Sequence, residues 1–170
     1  LATMAGRHPE VNYIGIEKFS GVLYKAARKY AREELLLDNI MLICMEAHDL
    51  CDIFARGEIS KIYLNFSDPW PKQKHARRRI TSRDFLEVYR EILTPKGELE
   101  LKTDNESLYR FSLKEMEAAG WKLAAASEDL HNDIERLEEN VMTEYEERFS
   151  AQGKTIYWCR MKGERDGVCS

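Results

Sequence analysis

Two kinds of hydrophobic pattern alternate along the chain. Short runs that are rich in apolar and β-branched residues are separated by longer stretches in which apolar residues recur every three to four positions. The short runs predict β-strands, and the longer stretches predict amphipathic helices. The predicted strands are residues 11–17, 39–45, 61–66, 98–102, 121–127 and 154–161.

The predicted helices lie between these strands, and each has one apolar face. After the first strand, for example, Phe19, Val22 and Tyr30 share a face, with basic residues between them. A turn at residues 95–97 ends a later helix. The predicted helices are residues 19–34, 48–55, 82–93 and 107–119, together with the end of a helix at the start of the chain and a partly helical acidic stretch before the last strand.

Strands that alternate with helices in this way predict βαβ units, and therefore an α/β fold with a mainly parallel sheet. The last two strands are separated by an acidic excursion and no plain crossover helix, so antiparallel pairing is open for them. In such sheets, ligands bind beside the carboxyl ends of the strands. The candidate functional residues are therefore those that directly follow the strands.

Two acidic residues follow the first two predicted strands. Glu17 closes the first strand, where a carboxylate can accept hydrogen bonds from both ribose hydroxyls of a nucleotide cofactor. Glu46 and Ala47 follow the second strand, where they can meet an adenine edge. A solvated acid at a strand end is the alternative at both positions. Neither acid distinguishes a methyl donor from a nicotinamide dinucleotide.

The segment after the third strand, residues 65–83, has the sequence NFSDPWPKQKHARRRITSR. Its two prolines restrict the backbone and place the Asp68 carboxylate beside the Trp70 ring, which together predict a pocket for a nucleobase. A simple turn at Asp68 is the alternative. Residues 72–83 contain six lysines or arginines and no acid, so they predict an RNA-binding patch, with a solvated charge run as the alternative.

Two further polar segments lie nearer the C-terminus. Asp104 follows the fourth predicted strand, where it either caps the next helix or binds substrate. Between residues 128 and 147 there are nine acids and one arginine. This stretch indicates either a solvated face or an acidic wall that selects which bases approach.

Charge and composition restrict the choice of partner. The 170 residues carry 26 lysines and arginines against 30 acids, a net charge of −4, so a nucleic acid would have to bind the local patch. The longest apolar run, residues 40–45, is too short for a membrane-spanning helix, which excludes a membrane protein. The four cysteines form no CxxC pair and lack zinc-ligand spacing, which predicts reduced thiols, a cytoplasmic protein and no metal site.

The segments YIGIE, SDPWPK, LKTDN, TEYEERF and GKTIYW resemble the bacterial tRNA (guanine-N7-)-methyltransferase family across nearly the whole chain. This resemblance implies a Rossmann-like S-adenosylmethionine-dependent methyltransferase fold, with a mainly parallel sheet and an antiparallel last strand. It also implies transfer of a methyl group from S-adenosylmethionine to N7 of a guanine in the variable region of tRNA.

The resemblance also implies a set of site residues. Cofactor contacts fall on Glu17, Glu46 and Asp68, and Asp68 is in addition the candidate catalytic residue. Glu46 stands where many relatives have aspartate. No metal is implied. The implied substrate-binding residues are Lys72, Gln73, Lys74, His75, Arg77, Arg78, Arg79, Asp104, Thr143, Glu144, Tyr145 and Glu146.

The family's glycine-rich turn, E-x-G-x-G-x-G, does not occur in this sequence, which opens with LATMAGRHPE. We therefore expect residues 1–170 to form a single methyltransferase domain that lacks its N-terminal strand. The alternatives are another S-adenosylmethionine-dependent RNA methyltransferase and a non-catalytic RNA-binding module. A nicotinamide dehydrogenase is disfavoured because no histidine or tyrosine constellation for hydride transfer is found. A monomer and a homodimer are both compatible with the sequence.

Overall fold

A computed structural model describes residues 1–32 and 37–163. The chain divides into two compact units, Leu1–Asp49 and Leu50–Ser170, and each is described by itself. The predicted end of the second helix at Glu34, and one of the four cysteines, Cys169, lie outside the described residues. Within the described part, no helix is both long and apolar enough to cross a membrane.

The first unit is a parallel pair of strands with two helices. Gly15 in the first strand packs so closely against the second that a Cβ atom there would lie 2.8 Å from Leu42 Cδ2. The Asn39 side chain fixes the entry to the second strand, because its amide nitrogen donates to the backbone carbonyls of residues 5, 8 and 11. The elements are α1 (Ala2–Arg7), β1 (Tyr13–Glu17), α2 (Ser20–Arg32), β2 (Ile40–Cys44) and a 3₁₀ helix (Ala47–Asp49).

The second unit is a four-stranded sheet with helices. Its elements are α3 (Leu50–Ile53), β3 (Ile59–Asn65), a 3₁₀ helix (Gln73–Arg78), α4 (Arg83–Ile92), β4 (Leu93–Thr103), α5 (Glu106–Ala118), β5 (Lys122–Ser127), a 3₁₀ helix (Leu130–Asn132), α6 (Ile134–Glu139), α7 (Glu144–Ser150) and β6 (Tyr157–Lys162).

The strand order of the second unit is β3-β4-β6-β5. β3 and β4 are parallel, whereas β6 runs antiparallel to both of its neighbours. This arrangement confirms the predicted α/β fold with parallel βαβ pairing and an antiparallel last strand. It also confirms that the acidic stretch before β6 is partly helical, because α6 and α7 lie in it.

The core of the second unit is formed by the apolar faces of α4, α5 and the central strand β4. Leu86 and Tyr89 of α4, Leu99 and Leu101 of β4, and Met116 of α5 are each at most 1% exposed. Burial of a side chain of this size stabilises the fold by roughly 1.5–3 kcal/mol. The helical spacing found in the sequence therefore positions α4 and α5 against the sheet.

The predicted start of β4 was wrong by five residues. Ile59 pairs with Leu93 and Lys61 pairs with Glu98, so the residues between Leu93 and Glu98 form an insertion in the strand. The predicted turn at residues 95–97 lies within this insertion. A Cβ atom on Gly97 would lie 2.8 Å from Leu93 Cδ2, so glycine is the residue that fits the close return of the chain.

Candidate functional site

The carboxyl ends of β3 and β4 lie side by side. Asn65 is opposite Lys102 in the parallel register, and the Phe66 amide donates to the Lys102 carbonyl at 2.9 Å. The loop after β3 and residues 104–105 after β4 therefore meet at one edge of the sheet. This is the edge at which parallel α/β sheets bind ligands.

The loop after β3 has an unusual backbone. Phe66 (φ 53°) and Trp70 (φ 42°) both lie in the left-handed region that favours glycine, and each such residue costs about 1 kcal/mol or more. Asp68 lies between them, is exposed, and has no hydrogen-bond or ion-pair partner among the described residues. The Ser67 hydroxyl is buried and has no partner in the same part of the chain. The loop thus holds a free carboxylate at the sheet edge.

Arg79 holds this loop in place. Its Nε donates to the Pro69 carbonyl at 3.1 Å, and its Nη2 donates to the Trp70 carbonyl at 3.1 Å. Its guanidinium carbon also lies 4.3 Å from the centre of the Phe111 ring on α5. Because Arg79 is only 7% exposed, its charge is not available to an RNA backbone. Sequence reasoning placed Arg79 in the basic patch, and the structure separates it from the exposed members.

The Trp70 ring is engaged by its own neighbours. The Arg78 guanidinium lies 5.1 Å from the ring centre, and the His75 ring meets the indole edge-on at 5.7 Å. The sequence predicted that Trp70 would offer a flat surface to a base. In the structure, the ring instead contacts the middle and the last residue of the Gln73–Arg78 helix.

The basic patch consists of Lys72, Lys74, Arg77 and Arg78, which lie on or next to the Gln73–Arg78 helix. All four side chains are exposed, as is that of Gln73. No acidic side chain in the described part of the chain lies within ion-pair distance of the four. The patch therefore presents uncompensated positive charge, as the sequence predicted.

Three aromatic rings meet beside the loop. Tyr145 on α7 stacks on Phe66 with ring centres 6.3 Å apart and planes inclined by 19°, and Phe149 lies 5.8 Å from Phe66. Tyr145 is nevertheless 59% exposed, so one part of its ring remains accessible. This contact joins α7 to the end of β3. It was not predicted from the sequence, because the two rings are distant along the chain.

Asp104 does not cap α5, so that alternative was wrong. The N-cap residue is Asn105, whose side-chain oxygen accepts from the Leu108 amide at 2.9 Å. Asp104 instead forms an ion pair with Lys154, with Nζ and Oδ2 2.6 Å apart. Lys154 also lies 4.2 Å above the Phe149 ring, which places Asp104 next to the aromatic rings.

Glu146 is fully buried and is the centre of a polar network. Its Oε2 accepts from Lys102 Nζ at 3.0 Å and from the Thr143 amide at 3.3 Å. Its Oε1 accepts from Asn140 Nδ2 at 2.6 Å and lies 3.0 Å from His131 Nε2. These five residues, Lys102, His131, Asn140, Thr143 and Glu146, are called the Glu146 network below.

The Glu146 network explains the local fold of the TEYE segment. Thr143 and Glu146 form a capping box at the start of α7, in which each side chain bonds to the other residue's backbone. Burial alone would raise the pKa of Glu146. The hydrogen bond to His131 and the charge of Lys102 outweigh burial and lower that pKa. Glu144 and Tyr145 are exposed, Thr143 is partly buried and bonded within the capping box, and Glu146 is fully buried, so the first two are the most open to a ligand.

In the first unit, two acids lie at the carboxyl ends of the parallel strands. Glu17 Oε1 accepts from the Phe19 amide at 2.9 Å. The Met45 amide donates to the Glu17 carbonyl, which shows that the two strands end together. Glu46 is exposed and its carboxylate has no partner among the described residues. The described part of the chain contains no cluster of three or more metal-ligating side chains.

The chain is similar to known methyltransferases along nearly its whole length. A family model described as "Putative methyltransferase" matches residues 1–159. A tRNA (guanine-N(7)-)-methyltransferase of Geobacillus sp. (strain WCH70) is 48% identical over 162 residues, which cover 95% of this chain and 72% of that protein. The protein of the same name from Geobacillus thermodenitrificans is 50% identical over 159 residues, covering 94% and 72%. The chain belongs to the tRNA (guanine-N7-)-methyltransferase family.

Solved structures of methyltransferases share the fold of this family member. The 16S rRNA methyltransferase KamB has a TM-score of 0.68 and 13% identity, and the match covers 96% of this chain and 82% of that chain. An antibiotic-related methyltransferase has a TM-score of 0.67 and 14% identity, covering 96% and 81%. At this level of identity, the likeness shows the Rossmann-like methyltransferase fold alone.

The buried carboxylate of this methyltransferase predicts a loss of stability in acid. The pKa of Glu146 in the folded protein lies below its usual value of 4.5, so its stabilising effect is complete above about pH 4.5 and is lost as the pH falls through the folded value. Urea unfolding of the wild type and of Glu146→Gln measures this. We expect a difference of about 3 kcal/mol at pH 7 that shrinks below pH 4.5. A difference that stays constant with pH would contradict the assignment.

Proposed function

We propose that this protein transfers a methyl group from S-adenosylmethionine to N7 of a guanine in tRNA, in the variable region that the family resemblance indicates. The observation that carries the proposal is Asp68. Its carboxylate is free of partners, is held between two left-handed residues, and is followed directly by the exposed basic patch. The names of the similar proteins support the same reaction.

The two acids of the first unit suit the nucleoside part of the cofactor. One carboxylate oxygen of Glu17 accepts from a backbone amide and the other has no partner in the described part of the chain, and Glu46 is exposed. Carboxylates at the ends of parallel strands accept hydrogen bonds from ribose hydroxyls. We assign Glu17 and Glu46 to the adenosine and ribose of S-adenosylmethionine, and the family resemblance assigns Asp68 to the cofactor as well. When bound, the cofactor supplies a methyl group on a positively charged sulfonium.

Guanine N7 needs little chemical activation. It has an in-plane lone pair and no proton, so no strong base and no metal ion is required for its attack on a methyl group. The protein's task is to place the base in line and to stabilise the positive charge that develops on the ring. Asp68 can accept hydrogen bonds from the N1 and exocyclic amino groups of guanine. Its negative charge also stabilises the cationic product.

Tyr145 is the best candidate for a surface on which the guanine stacks. The sequence suggested Trp70 for this role, but the Trp70 ring is engaged by Arg78 and His75. The Tyr145 ring is more than half exposed and is supported from behind by Phe66. Asp104, which is ion-paired with Lys154 beside the Phe149 ring, is a further acceptor for the base. Stacking of a base on an aromatic ring contributes about 1–3 kcal/mol.

The basic patch suits the phosphate backbone of tRNA. We also propose that the protein acts in the cytoplasm, where tRNA is available.

The decisive experiment is nucleoside mass spectrometry of tRNA after incubation with the protein and S-adenosylmethionine. We expect 7-methylguanosine in the variable region. Methylation of another base would favour a different RNA methyltransferase. Binding of tRNA without any methylation would favour an RNA-binding module.

Removing one exposed arginine of the patch should weaken tRNA binding and its salt dependence. Arg77→Ala eliminates one phosphate contact, so the slope of log K against log salt concentration should fall by about 0.7–0.9. The measurement is filter binding of tRNA over a series of salt concentrations. Lys114→Ala, an exposed cation on α5, is the matched control and should leave the slope unchanged. Equal slopes for wild type and every patch variant would move the RNA surface elsewhere.

A further inference from the structure

Four separate segments of the second unit meet at the Glu146 carboxylate. Lys102 comes from the end of β4, His131 from the Leu130–Asn132 helix, Asn140 from the end of α6 and Thr143 from the start of α7. Each carboxylate oxygen has two polar contacts, and the Lys102 ammonium also donates to the Val141 carbonyl at 3.1 Å. The ion pair is nearly inaccessible, with Lys102 6% and Glu146 0% exposed as side chains.

A buried network of this kind fixes geometry more narrowly than apolar packing does. Each hydrogen bond has a preferred direction and length, and in a site without water an unmet donor or acceptor is costly. A buried ion pair nevertheless adds little net stability over apolar residues of similar volume, because both charges must be desolvated. Stability alone therefore does not account for a lysine and a glutamate at this place.

Both ends of the network lie next to the candidate substrate groups. Glu146 directly follows Tyr145, whose ring stacks on that of Phe66. Phe66 in turn lies two residues before Asp68. Lys102 is paired with Asn65 at the end of β3 and lies two residues before Asp104. A displacement of α7 would consequently move the Tyr145 ring relative to the loop that carries Asp68.

We propose that Glu146 and Lys102 are positioning residues for methyl transfer, which hold α7 and its Tyr145 ring in register with the Asp68 loop. This inference rests on the proposed function and adds to it. The family resemblance assigns Thr143 and Glu146 to substrate contacts. Here these two side chains act on the substrate through Glu144 and Tyr145, and the buried partners Lys102, His131 and Asn140 share that role.

The first test compares Glu146→Gln with Glu147→Gln, which removes an exposed charge from the same helix. In Glu146→Gln, kcat should fall by about 10- to 100-fold, because misplacement by about 1 Å has effects of this size. The KM for tRNA should stay within about twofold, because the basic patch supplies most of the affinity. Glu147→Gln should leave kcat unchanged. Equal kcat values for the two variants would overturn the proposal.

The second test separates positioning from stability. The double variant Lys102→Met/Glu146→Met removes both charges and keeps the volume, so its Tm should lie within about 5 °C of the wild-type value. If the network positions α7, kcat of this stable variant stays at least about tenfold low. If Tm and kcat both return to wild-type values, the network only stabilises the fold and the proposal fails.

A third variant and a second readout keep the test decisive if the buried variants do not fold. His131→Asn changes one contact at the partly exposed rim of the network, and it should lower kcat about threefold at an unchanged KM. Hydrogen exchange of Glu144–Ser150 should be faster in this variant while the β4 amides remain protected. Unchanged kcat and exchange would overturn the proposal. If the wild-type protein transfers no methyl group but His131→Asn still exchanges faster, the network does hold α7 and it is the proposed function that is wrong.

Discussion

Replacing Asp68 with asparagine should lower methyl transfer to tRNA guanine by about 100-fold or more, the size of effect that follows loss of one preorganised electrostatic contact. Asparagine has nearly the same shape as aspartate, so the left-handed loop and its clamp by Arg79 are retained. What is lost is the negative charge that faces the developing positive charge on the purine. The measurement is kcat with saturating S-adenosylmethionine and tRNA.

The same variant should leave folding and tRNA binding almost unchanged. Asp68 is exposed and has no partner in the described part of the chain, so its charge stabilises no other group of the protein. Asp84→Asn, which neutralises another exposed aspartate near the patch, is the matched control and should keep the wild-type rate. If Asp68→Asn keeps the wild-type rate, Asp68 is only a turn residue and not a catalytic one. The family assignment would not be affected by that result.

The fold was predictable from the sequence to the extent that it follows from local periodicity. Apolar spacing located α4 and α5, and β-branched runs located β1 to β3, because burial of one face leaves a regular pattern. The start of β4 was not predictable in this way. Its first residue pairs with Ile59 across an insertion, and only the pairing of two distant segments reveals that Leu93 belongs to the strand.

The sequence identified the residues of the candidate site, but not which of them are exposed and which are buried. Strand ends identified Glu17, Glu46, Asp68 and Asp104, since the carboxyl edge of a parallel sheet collects the residues that follow each strand. A run of basic residues does not reveal that Arg79 turns inward while Arg77 and Arg78 stay exposed. That distinction depends on two backbone carbonyls, at Pro69 and Trp70, that need a donor.

The same limit applies to the TEYE segment. Sequence similarity assigns all four residues one role, but the helical geometry of α7 sends them to different sides. Thr143 caps the helix and Glu146 enters the core, whereas Tyr145 faces solvent. The signal that could have separated them is the capping-box spacing of a threonine and a glutamate three residues apart.

Arg79→Lys should destabilise the protein by about 2–4 kcal/mol and lower kcat, although it conserves the charge. The arginine fork reaches the carbonyls of Pro69 and Trp70 at once, and its guanidinium carbon lies 4.3 Å from the centre of the Phe111 ring. A lysine ammonium is a point donor that cannot reproduce the two-pronged fork, so at least one of these part-buried carbonyls loses its charged donor. The left-handed conformation of Trp70 then loses the contact that holds it, and Asp68 loses its fixed position.

Urea unfolding and kcat measured on the same samples test this account, with Arg78→Lys as the matched control. Arg78 is exposed, and its contact with the Trp70 ring tolerates another cation, so Arg78→Lys should change stability by less than about 0.5 kcal/mol. The two adjacent arginines of one basic run should therefore respond very differently to the same substitution. If Arg79→Lys keeps wild-type stability and kcat, the loop is rigid without its clamp. Its two prolines and the packing of Phe66 against α7 would then suffice to hold Asp68 at the sheet edge.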